Sequence, residues 1–240
     1  MALFWSGFLV FLRCGAALAL APAFGEQTIP LRVRLGISIA MTLAVAPAVS
    51  APAAPGAAEM LAETVNGLLL GAGFRLFVLA LQTAGMIASQ ATSLAQLFTG
   101  AAAEPQSSFS AVLLLSGLAL ACMSGLHVKL AEALIASHFV LPQGRFPNGA
   151  DVAGWGVAGV SRSFSLAFAL AAPFLIAGAL YNIALGAINR AMPTLMVVMV
   201  GAPALTFGGL ALLALMAPMM LQLWLGALDR FLISPFDLAR

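Results

Sequence analysis

Two stretches of this chain, Phe164 to Ile188 and Thr194 to Leu228, contain no Asp, Glu, Lys or Arg at all. A spanning helix needs roughly 20 predominantly apolar residues, so each stretch is long enough to cross a bilayer. The rest of the sequence follows suit. Hydrophobic residues make up 62% and charged residues 8% of 240, and mean hydropathy is +1.08. Soluble domains carry about 25% charged residues, so water is not the main solvent here. One membrane-embedded domain, residues 1–240, accommodates the whole chain.

Pro, Gly and charge clusters divide the apolar blocks. The first runs from about Leu3 to Phe24 and is followed by the polar turn Gly25 to Pro30. A cleavable leader puts its positive charge ahead of the apolar run; here Arg13 sits in the middle, so a retained helix is expected. Leu35 to Val49 or beyond forms the second block, and Ala51 to Gly56 breaks the chain again. Glu59 and Glu63 open a stretch to Phe98, divided or bent near Gln82-Thr83. After the loop Glu104 to Ser108 comes Phe109 to Leu141, then the most loop-like region, Pro142 to Ser163. Asn189 to Pro193 joins the last two blocks, and the mixed tail from Asp229 to Arg240 is expected at an interface. No segment alternates with period two. The fold class is therefore all-α: a polytopic membrane helical bundle with kinked or broken helices and no β-sheet. Pro173, Pro203 and Pro218 supply the kinks. Seven spans place Arg32, Arg34, Arg145, Arg162, Arg230 and Arg240 on the cytoplasmic side, in keeping with the positive-inside tendency.

Net charge is +2, with no basic run that would attract a phosphate backbone, so no nucleic-acid partner is expected. Cys14 and Cys122 lie in apolar segments without metal spacing. HExxH, GxSxG and phosphate-cradling glycine loops are missing, so no cofactor, no metal and no enzymatic activity are expected.

Polar groups inside apolar blocks are costly and must face protein, water or a partner. Arg13, Arg75, His127, Lys129 and Glu132 are such groups, with Asn189 and Arg190 as further candidates for buried or interface positions. Lys129 and Glu132 stand three apart on one helix face and could pair. They serve either a proton or substrate pathway with His127, or a structural pair. Gly67 and Gly71 form a GxxxG, and Gly117, Ala121 and Gly125, like Ala204 and Gly208, repeat small-residue spacing suited to close helix packing. Six of the 11 methionines fall between Met192 and Met220, as core filling or as a deformable lining.

Certain residues are more specific. Arg13, Ala21-Pro22-Ala23-Phe24-Gly25 and Ile29-Pro30-Leu31-Arg32-Val33-Arg34-Leu35-Gly36 resemble the opening of the FliR family. Gly85 to Phe98, Ser124-Gly125-Leu126-His127, Ser137 to Pro142, Asn182 to Leu185, Asn189 to Pro193 and Gly201-Ala202-Pro203 resemble later landmarks of the same family, in order. Thr194, Met196, Ala202 and Leu126 depart from its usual residues. The resemblance implies a subunit of a type III protein export gate, with the flagellar branch preferred and the virulence-associated (injectisome) branch of the same family as the alternative. It implies placement in the bacterial inner membrane at the flagellar basal body, with FliP-like, FliQ-like and FlhB-like partners and unfolded exported proteins as cargo. It also implies that the segment containing Gly100, Glu104, Pro105 and Phe109 helps plug the pore. A different class of reading, a secondary transporter using Lys129 and Glu132, lacks the internal repeat common to such proteins.

Overall fold

The computed structural model describes residues 2–25, 29–49, 56–93, 108–191 and 197–236. Seven α-helices form, with no strand among the described residues: α1 Ala2–Leu20, α2 Leu31–Val45, α3 Ala57–Ser93, α4 Ser108–Met123, α5 Leu126–Val140, α6 Gly149–Ala191 and α7 Val197–Ile233. Pro22 follows α1, where it cannot extend the helix. Pro30 precedes α2, its carbonyl accepting from the N–H groups of Val33 and Arg34 at 3.0 and 3.1 Å, and Pro47 tightens the end of α2 into the 3-10 turn Ala46–Ala48.

Three expectations from sequence are corrected. First, α3 is not divided at Gln82-Thr83 but continues through them as one helix, since neither residue removes a backbone donor. Second, the helical break falls instead at Ser124-Gly125, where α4 and α5 meet at 76°. Gly125 adopts φ +84°, a left-handed conformation that glycine enters without a Cβ penalty. Third, α6 begins at Gly149, inside the region read as loop. Asn148 Oδ1 accepts from the Ala150 N–H at 3.0 Å, and Asp151 sits in the first turn, where the helix dipole favours a carboxylate. Among the described residues four helices are long and apolar enough to cross a bilayer, or five if α4 and α5 count as one broken span, against the seven spans expected.

The chain gathers into two compact units. One comprises Met1–Val78, Leu118–Ser163 and Gly226–Arg240; the other Leu79–Gly117 and Phe164–Leu225. In the first, the GxxxG of α3 lies against the backbone of α1. A Cβ at Gly67 would collide with the Arg13 carbonyl oxygen, and one at Gly71 would stand 2.7 Å from that of Ala17. The lipid-like solvent gives little drive for association, so close backbone approach supplies dispersion contact instead. α2 turns Ser38, Met41, Thr42 and Val45 inward and packs on α1. Phe231 of α7 meets Phe74 and Phe77 at 5.5 and 5.2 Å between ring centroids. Trp155 Nε1 donates to the Pro235 carbonyl at 3.0 Å, and Ser163 Oγ to that of Leu76 at 2.9 Å.

In the second unit, Gly85 admits Ser110, whose hydroxyl donates to the Gln82 carbonyl at 3.1 Å. Phe109 packs edge-on against Phe174 at 6.0 Å. Gly178 approaches the Ala91 carbonyl and Gly209 the Thr92 methyl. Trp224, Leu81, Leu113 and Phe174 are fully buried there.

Candidate functional site

The most concentrated polar chemistry lies in the first unit, around Arg13. Its guanidinium grips Glu63 of α3 with two parallel bonds, Nε to Oε2 at 2.8 Å and Nη2 to Oε1 at 3.0 Å. Both side chains are fully buried. Nη1 donates to Ser137 Oγ of α5 at 3.3 Å, and Nη2 also to the Leu141 carbonyl at 3.0 Å. Glu63 Oε1 accepts in addition from the Gly144 N–H at 2.8 Å. One turn on, Asn66 Nδ2 donates to the Arg145 carbonyl at 3.1 Å. Glu63 and Asn66, three apart, thus share a face and hold the turn after α5 by its backbone.

Burying two charges is costly unless the pair is well aligned and the remaining donors and acceptors are satisfied. The fork-to-fork geometry and the further partners meet both conditions. Such a node fixes where α1, α3, α5 and the following turn sit. It offers no free base, acid or nucleophile, because each charged atom is already engaged. Beside it, a cavity of about 390 Å³ shares Leu141 and Arg145 with the node and is also lined by Phe146, Trp155 and Phe236. Among the described residues no group of three or more His, Cys, Asp or Glu could hold a metal.

A second ion pair joins Lys129 of α5 to Asp229 in the last turns of α7, Nζ to Oδ1 at 2.7 Å, each side chain about one-third exposed. This corrects the expected Lys129–Glu132 pair. The longer-range carboxylate reaches the ammonium, and Glu132 stays exposed.

The sequence profile of the family described as "Bacterial export proteins, family 1" matches residues 4–231. The chain belongs to this family, the FliR family. It is 34% identical over 225 residues to the flagellar biosynthetic protein FliR of Caulobacter vibrioides, covering 90% of each chain. The FliR of Escherichia coli is 27% identical over 219 residues, 87% of this chain and 82% of that one. The FliR of Pectobacterium carotovorum is 28% identical over 224 residues, 88% and 84%.

The family landmarks acquire distinct places in the fold. Arg13 is the centre of the buried node, Ser124-Gly125 is the bend, and Ser137 to Pro142 is what the node holds. Of the other FliR-type candidates, Arg75 is half-buried on α3. His127 lies exposed on α5, and Asn189 and Arg190 lie exposed in the last turn of α6. Phe109 belongs to the first turn of α4, while Gly100, Glu104 and Pro105 lie outside the described residues. Gly125 proves to be a bend residue, with nothing within 4 Å of a built Cβ, and Gly208 likewise meets nothing, so neither mediates packing within the chain. Sequence reasoning missed Glu63, Asn66, Ser137 and Asp229 as partners. One signal for the first was available: Glu63, Gly67 and Gly71 recur every four residues, on the face that meets α1.

Proposed function

We propose that this FliR-family subunit of the flagellar type III export gate works by assembly rather than catalysis. It packs with FliP-like, FliQ-like and FlhB-like subunits in the bacterial inner membrane to wall the passage for unfolded flagellar proteins. The family match over residues 4–231 carries the reading. The similarity to three flagellar FliR proteins favours the flagellar over the virulence-associated branch. The chain's surface is in keeping with it. On α6, Phe164, Phe168, Ile176, Leu180 and Ile183 are each more than half exposed. An apolar surface of that extent is covered by lipid or by other subunits.

The transporter reading has lost its central pair, since Lys129 is held by Asp229. The test is co-purification. The tagged chain, extracted from native membranes in mild detergent, is expected to bring FliP-like and FliQ-like proteins in one large complex. Recovery of a lone monomer or homodimer, with those proteins present in the same membranes, would refute the proposal.

A further inference from the structure

We propose that the outer face of α5 docks an apolar helix of another membrane subunit bearing one Lys or Arg, whose cation pairs with Glu132. The inference rests on the export-gate reading and assigns one of its interfaces.

At 100° per residue, the buried residues Leu126, Leu130, Ala133, Leu134 and Ser137 fall within one arc of α5. On the opposite side Val128, Glu132, Ile135 and Phe139 fall on one line, spaced four, three and four apart. Val128 is 51% and Phe139 79% exposed, Glu132 is exposed and Ile135 half-buried. The stripe is therefore apolar with a single carboxylate near its centre. Along the helix the natural cation for Glu132 is Lys129, and Asp229 already holds it. Among the described residues no hydrogen bond or ion pair reaches Glu132.

Three surroundings can be weighed for such a stripe. Hydrocarbon accepts Val128, Ile135 and Phe139 but strongly disfavours an ionised Glu132. Water solvates Glu132 but leaves Val128 and Phe139 exposed, with Ile135 half-buried between them. An apolar helix with one suitably placed cation satisfies both demands, and a desolvated ion pair of that kind also sets register. A second copy of this chain is a poor occupant, because a two-fold contact through the stripe sets carboxylate against carboxylate.

The experiment places a photo-crosslinking phenylalanine at Ile135 and, separately, at Phe168 on α6, in the full-length chain in its native membranes. Each is combined with Glu132→Gln and Glu132→Lys. The Ile135 probe is expected to capture one membrane subunit through an apolar peptide containing Lys or Arg. Glu132→Lys should reduce that yield by about tenfold, the effect of losing a pair worth one decade in affinity. Glu132→Gln should reduce it less, and changing the partner's cation to Glu should restore the yield in the Glu132→Lys background. Four results overturn the inference while capture from Phe168 keeps the gate reading intact: adducts to lipid alone, adducts to a second copy, a peptide without Lys or Arg, or a yield indifferent to Glu132→Lys. Failure of both probes to capture any other gate subunit overturns the gate reading as well.

Discussion

Replacing Arg13 by Met removes two of the three donors that Glu63 has in this fold, leaving the Gly144 N–H. The carboxylate stays buried and uncompensated, which costs about 3–5 kcal/mol. At about 1.4 kcal/mol per decade this lowers the folded-to-unfolded ratio by two to three and a half orders of magnitude. Glu63→Leu strands the guanidinium with Ser137 Oγ and the Leu141 carbonyl, a penalty of the same order. The double variant Arg13→Met/Glu63→Leu removes both charges at once. It leaves the Leu141 carbonyl and the Gly144 N–H without their partners, at roughly 1 kcal/mol each. The double variant is therefore expected to be more stable than either single variant, by about 1–3 kcal/mol. Denaturant titration of the detergent-solubilised protein, followed by protease protection, measures all three against the parent. Single losses that simply add in the double variant would refute the reasoning, because the two side chains would then act independently.

Gly67→Ala should destabilise by about 1–3 kcal/mol, since the methyl meets the Arg13 carbonyl and Ala16. Gly15→Ala on the same pair of helices meets nothing and should be neutral or stabilising by up to about 1 kcal/mol, and thermal unfolding compares the two. Gly125→Ala should cost about 1–2 kcal/mol through its left-handed φ, with Gly125→Asn costing less in the same measurement. Lys129→Met should cost no more than about 1 kcal/mol, because its pair with Asp229 is part-exposed, and swimming in soft agar should persist. Loss of motility with an intact complex would instead favour a transport role for Lys129.

The helices were legible because composition and breakers define them. Pro22, Pro30 and Pro47 each stand near a boundary that the structure keeps. The GxxxG at Gly67 and Gly71 was legible too, since small residues four apart on an apolar helix leave few other uses. Gly125 carried the same spacing and meant something else. Spacing does not report φ, and only the fold distinguishes a packing glycine from a bend. The loop-like composition of Pro142 to Ser163 concealed the start of α6, because Gly and Asp near an N-cap suit both a turn and a first helical turn. The node was illegible for a further reason. Arg13 stands 50 residues from Glu63 and 124 from Ser137, and no local period links residues so far apart. Glu63 read as a helix opener although it begins the buried face. Lys129 shows the converse: its neighbour Glu132 fits the helical spacing, yet the partner lies 100 residues away.

The 43 residues of α6, with Pro173 among them, follow a helical path of roughly 64 Å at about 1.5 Å per residue. A hydrocarbon slab of about 30 Å, crossed at a tilt of about 40°, takes up roughly 26 residues of helix. On a single crossing, roughly 17 of the 43 residues therefore lie beyond the slab. The uncharged run Phe164 to Ile188 claims the slab for itself, so the overhang falls on the opposite end, with Asp151, Trp155 and Arg162. Those first turns of α6 are then expected to answer to ionic strength and to soluble reagents. A few turns further along, the same helix is expected to answer only to lipid and protein.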